Sequence, residues 1–374
     1  MPVTTPEHTR IDVPIARVEA SAYTIPTDGP ESDGTLEWEE TTLVLAQVTA
    51  GDVTGLGYSY TDASAVRVIR GALEKHLVHH NALDIEARYA AMVASVRNLT
   101  RPGIASAAIS AVDVALWDLK ARLLGLPLIS LLSAAREAVP LYGSGGFTSY
   151  SIERLQEQLG GWAREGFGAV KMKVGRDPAA DRERVRAARR AIGAHAALFV
   201  DANGAYGRKQ ALQQAEIFAE QQVAWFEEPV TSDDLEGLRL VRDRAPAGMD
   251  VAAGEYGHTP DYFRRMLAAG SVDVIQADAT RCGGITGFLR AAALADAWHV
   301  PISAHTAPSV HAHPCCAAPR LLNLEYFHDH VRIEHLLFDG VLRPEHGTLR
   351  PDRSRPGLGL AFRRADADRY LVRM

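Results

Sequence analysis

The chain has 374 residues, of which 47% are hydrophobic and 23% charged, enough for a large buried core and outside the ranges of disordered, collagen-like or coiled-coil chains. Its formal charge of -6 and pI near 6.2 give no global basic footprint for nucleic acid or an anionic membrane, so the expected partner is a small molecule. Three cysteines cannot build a disulfide framework, and no stretch approaches the roughly 18 apolar residues of a membrane span, which together point to the cytoplasm.

Residues 11–60 read as strands. IDVPIARVEASAY alternates, and TTLVLAQV followed by Gly51-Asp52 and VTGLGYSY predicts a hairpin with a tight turn. The polar stretch 24–40 between them reads as a loop, either a lid or a disordered connection. From about residue 64 to 124 the pattern becomes helical and stops at Gly125 and Pro127. Residues 1–130 are thus expected to form an α+β capping domain.

Beyond residue 138 short apolar runs alternate with amphipathic stretches: VPLYGS, AVKMKV, LFVDA, AWFEE, DVAAGE, VDVIQAD, PISAH and LLNLE. Eight such units predict a (β/α)8-type barrel over residues 131–330, with residues 331–374 packing back on the capping domain. An open doubly wound sheet is the rival, but GSGGF lacks the spacing of a dinucleotide-binding turn.

In a barrel, polar residues at the carboxyl ends of strands point into the mouth where the chemistry occurs. Here those ends carry Lys171 and Lys173, Asp201, Glu227, Glu255, Asp278, His305 and Glu325. Asp201, Glu227 and Glu255, on three successive strands, would converge and repel one another without a cation. Hard oxygen ligands with no Cys or His nearby favour Mg²⁺, Mn²⁺ or Ca²⁺ over Zn²⁺. Lys171 and Lys173 alternate with Met172 and share the inward face. A desolvated lysine beside a cation can serve as a base, and a Schiff-base lysine fits the triple carboxylate less well. Asp278 beside His305 would fix the imidazole tautomer, giving a second base on the opposite flank. His311 and His313 read as ordinary loop residues.

Taken together, KMK, VDAN, FEEP, AGE, QAD followed by GGIT, and SAH resemble the enolase superfamily and, within it, the mandelate racemase subgroup, over nearly the whole chain. The resemblance implies Mg²⁺, with Mn²⁺ as an alternative, on Asp201, Glu227 and Glu255, and proton transfer by Lys173 and by His305 oriented by Asp278. It further implies that Lys171 neutralises a substrate carboxylate, that Glu325 hydrogen-bonds an enolate oxygen, and that Asn203 and Glu228 support these groups. Members of such barrel families are commonly homo-oligomers. The shared step is removal of the proton next to a carboxylate. Loss of a β-hydroxyl then makes a sugar-acid dehydratase, and reprotonation from the other face a racemase or epimerase; dehydration is the favoured expectation. Segments 21–40 and 56–66 contain no Lys or Arg, which suggests a monoacid substrate, although Arg281 just past Asp278 could supply a second anion site.

Overall fold

Residues 12–373 are described by the structure, a computed structural model. Its first layer is an antiparallel meander of β1 (Arg17–Ser32), β2 (Glu37–Ala50) and β3 (Val53–Tyr60). The tight turn at Gly51-Asp52 is present, with Ala50 paired to Val53 across it. Helix Ile104–Leu123 lies on this sheet, its buried face running from Ala105 to Ala121. Gly57 permits the close approach, because a Cβ there would lie 2.3 Å from the Ala111 carbonyl oxygen.

The polar stretch 24–40 corrects the sequence reading. It is not a free loop: β1 continues to Ser32 and β2 begins at Glu37, leaving only residues 33–36 as a turn. Register shifts between Pro26 and Glu31, so Gly29 and Pro30 sit in a bulge that spares proline a ladder bond. The Asp33 side chain accepts from the Thr35 and Leu36 amides at 2.6 and 2.7 Å, closing the turn. Ser32 Oγ and Thr148 Oγ1, 2.6 Å apart, tie the ribbon to the barrel. Strand pairing and docking therefore overrode a turn-like composition.

The barrel is closed and parallel: β4 (Val139–Gly145), β5 (Ala169–Lys173), β6 (Ala197–Asp201), β7 (Val223–Glu227), β8 (Asp250–Ala253), β9 (Val274–Ala277), β10 (Ile302–Ala304) and β11 (Leu321–Phe327), with β11 pairing to β4. Tyr142, Phe199 and Trp225 fill its interior, and the Phe199 and Trp225 rings stack at 5.0 Å. This packed floor leaves the carboxyl end of the strands as the open face.

The C-terminal segment returns to the first layer. Asp118, fully buried, accepts from Leu56 N at 2.8 Å and Leu358 N at 2.7 Å, and Val372 N donates to Ala22 O at 2.9 Å. His311 and His313 are a second correction. Both are buried in helix Pro308–Ala317, where His311 Nε2 accepts from Ala279 N at 2.7 Å. That helix is buried on every side and contains Pro314, so it shows no amphipathic period from which to read it. Among the described residues no helix is long and apolar enough to cross a membrane.

Candidate active site

Strand register builds the centre. Lys173 pairs with Asp201 across β5 and β6, and Asp201 with Glu227 across β6 and β7, so three inward side chains share one layer at the barrel's rim. Glu255 follows β8 by two residues, and Gly254 turns the chain to bring it in. Its φ is 137°, and a Cβ there would lie 2.2 Å from the Gln276 carbonyl oxygen, so only glycine fits. One oxygen from each of Asp201, Glu227 and Glu255 lies within 4.8 Å of the others, and all three residues are buried.

Two lysines answer these acids. Lys171 Nζ is 2.7 Å from Glu227 Oε1, 2.9 Å from Glu325 Oε1 and 3.7 Å from Asp201 Oδ2. Lys173 Nζ is 2.5 Å from Asp201 Oδ2. Burial opposes the charge on both amines, but the carboxylates outweigh it and hold both above the usual lysine range. Glu227 is pushed up to about 8 by burial and then by Asp201, against the pull of Lys171. Burial and Glu255 likewise raise Glu228, whose Oε1 has no hydrogen-bond partner among the described residues. Buried carboxyls driven to keep protons by their neighbours are what a divalent cation relieves, and the donor set is all hard oxygen. The residues therefore fit Mg²⁺ or a similar ion.

On the far flank, His305 Nδ1 is 2.8 Å from Asp278 Oδ2, and His305 Nε2 faces Glu255 Oε2 at 3.2 Å. Asp278 can only accept, so Nδ1 carries the hydrogen and Nε2 is the exchangeable position. Burial works against the imidazolium, yet Glu255 and Glu325 push it up to about 9. The Thr306 amide donates to Glu325 Oε2 at 3.1 Å from a backbone with φ of 53°. Burial would raise Glu325, but Lys171 and His305 bring it down to about 2.

Lys173, Glu255, His305 and Glu325 line one cavity of about 480 Å³, roofed by Asp33, Leu36, Trp38 and Tyr60 from the first layer. All eight residues singled out at the strand ends thus meet at one face of the barrel. Asp201, Asp278 and Lys171 sit behind its wall, bonded to Lys173, His305 and Glu325 that reach it, and Glu227 lies one step deeper, bonded to Lys171. Sequence reasoning missed Thr306, Tyr60 and Tyr256, which also line the cavity. Arg281 lies there too, and its guanidinium is engaged: Nη1 is 3.5 Å from Glu255 Oε1, Nε is 3.5 Å from Asp278 Oδ2, and the group lies over the Tyr256 ring at 5.5 Å. A left-handed threonine and a cross-strand tyrosine carry no sequence signal.

Known proteins resemble the chain over both its first layer and its barrel. Residues 26–133 match the family model "Mandelate racemase / muconate lactonizing enzyme, N-terminal domain", and residues 154–367 match "Enolase C-terminal domain-like". A 3,6-anhydro-alpha-L-galactonate cycloisomerase of Streptomyces coelicolor is 32% identical over 354 residues, 90% of this chain and 96% of that one. A mandelate racemase/muconate lactonizing enzyme-like protein from Rubrobacter xylanophilus superposes with a TM-score of 0.94 at 56% identity, covering 96% of this chain and 100% of that one. A racemase from Streptomyces coelicolor with bound magnesium superposes with a TM-score of 0.90 at 31% identity, again over 96% and 100%. Further relatives are sugar-acid dehydratases.

Proposed function

Since the chain belongs to the enolase superfamily, mandelate racemase subgroup, and is an enzyme of lyase or isomerase type, we propose that it removes the α-proton of a monocarboxylic sugar acid and expels the β-hydroxyl, giving a 2-keto-3-deoxy acid. Asp201, Glu227 and Glu255 would hold Mg²⁺, which when bound offsets the negative charge that develops on the substrate carboxylate.

Lys171, between Glu227 and Glu325, is placed to turn its ammonium to that carboxylate. Lys173 takes the α-proton at Nζ. Its amine must first lose a proton, which becomes easier once Asp201 is engaged elsewhere, because Asp201 is the leading charge that holds Lys173 protonated. From the opposite flank His305 Nε2 gives a proton to the departing hydroxyl, while Asp278 keeps Nδ1–H in place. Glu325 donates to the enolate oxygen only if protonated, and movement of Lys171 toward the substrate removes the charge that keeps it ionised.

The lining of the mouth carries the choice of substrate. Away from Lys173 and His305, the wall presents Glu40, Thr41, Thr42, Thr61 and Asp62, acceptors and hydroxyls suited to a polyhydroxylated chain. Arg281, the further cation of this wall among the described residues, is already engaged by Glu255 and Asp278, so among those residues a second substrate carboxylate finds no free positive partner. Incubating a library of sugar mono- and diacids with the enzyme and Mg²⁺ in D₂O tests this. A 2-keto product from monoacids is expected. Faster turnover of diacids overturns the monoacid assignment, and α-deuterium without a keto product makes the enzyme a racemase or epimerase.

A further inference from the structure

A second group of ligand-type side chains lies beside the mouth, away from the central acids. Asp28 and Glu31 come from the outer end of β1, and His328 opens the helix His328–Leu337 directly after β11, the strand that carries Glu325. One carboxylate oxygen from each acid and one imidazole nitrogen lie within 4.8 Å of one another. His328 Nε2 is 3.0 Å from Asp28 Oδ2.

Glu31 sets this group apart from an ordinary surface cluster. It is 1% exposed; its Oε2 accepts from Trp38 Nε1 at 2.8 Å, whereas its Oε1 has no hydrogen-bond partner among the described residues. A buried carboxylate oxygen with no donor is costly. The nearby guanidiniums are directed at other acids, Arg154 Nη2 at Asp28 Oδ1 (3.4 Å) and Arg332 Nη2 at Asp329 Oδ1 (2.6 Å). Burial, then the charge of Asp329, disfavours the bare Glu31 carboxylate, and the hydrogen bond from Trp38 offsets this only in part.

We propose that Asp28, Glu31 and His328 form a second metal site, selective for Zn²⁺. One imidazole with two carboxylates suits this borderline ion, with water completing a tetrahedral shell, whereas the all-oxygen central trio suits Mg²⁺. Zn²⁺ there would clamp the ribbon bearing Asp33 and Trp38 to the chain three residues past Glu325, holding the roof of the cavity down.

Equilibrium dialysis against Zn²⁺ with millimolar Mg²⁺ present, followed by metal analysis of the folded protein, tests this. The reading is a difference in stoichiometry: His328→Asn and Glu31→Gln should each retain one equivalent fewer than the unmodified protein, and Asp201→Asn should retain the equivalent that they lose. His328 is partly exposed at a helix start, so its variant decides the matter if Glu31→Gln fails to fold. Unchanged Zn²⁺ stoichiometry in His328→Asn overturns the proposal, as does its loss in Asp201→Asn alone.

Discussion

The barrel rim and the ribbon above it both place acids around one cavity, but on different physical terms. On the rim, Asp201 and Glu227 occupy paired register positions of adjoining strands and are fully buried, each met by a lysine. On the ribbon, Asp33 is spent closing its own turn, while Glu37 and Glu40 remain exposed. Buried, convergent and charge-compensated groups are costly unless they act together, whereas solvated ones can change at little cost. On the function proposed above, the rim carries the shared chemistry and the ribbon the selectivity.

The hardest test of that division is on the rim. Asp201→Asn should lower kcat/KM by roughly 10³- to 10⁴-fold, the several kcal/mol a metal contributes, and should weaken Mg²⁺ binding measured by calorimetry. Normal turnover in this variant would remove the rim from the chemistry. Lys173→Met should cost roughly 10³-fold in kcat, in the range of a lost general base. If His305 is the second proton carrier, the same variant should still exchange solvent deuterium at the α-carbon of a substrate epimer that presents its proton to His305, which NMR can follow.

Ribbon changes should be milder and fall on KM. Trp38→Phe trims the roof and removes the N–H that Glu31 accepts; about 1 kcal/mol of lost contact predicts a roughly fivefold rise in KM with kcat nearly unchanged. A kcat loss matching that of Lys173→Met would erase the distinction between the two regions. The smallest effect concerns stability. The folded protein holds the Glu31 proton up to about pH 8, against an ordinary value of 4.5, so it binds more protons than the unfolded chain between those limits. With metals chelated, stability should therefore fall as pH rises from about 4.5 to 8. Glu31→Gln should flatten that slope and raise Tm at pH 8 by a few degrees relative to the unmodified protein, as followed by circular dichroism.

Much of the rim was legible because a parallel barrel repeats its geometry. One polar residue at each strand end, every 23 to 28 residues from Lys173 to His305, is a linear trace of a circular arrangement. The ribbon was not legible in that way. Its Gly, Pro, Ser and acids score as loop, and only pairing with β2 and docking through Ser32 and Trp38 make it a strand. Helix Pro308–Ala317 failed for the opposite reason, since burial on all sides leaves no apolar stripe.

By itself, then, the sequence determined the eight strands of the barrel and the residue types at their carboxyl ends, because these depend on local periodicity and on the chemistry of each side chain. Tertiary structure decided the rest. Whether Arg281 is free or engaged, whether Glu31 keeps a proton, and which wall faces the substrate depend on distances between segments remote in the chain. Charge interactions and desolvation act through space, and no spacing along the chain encodes them.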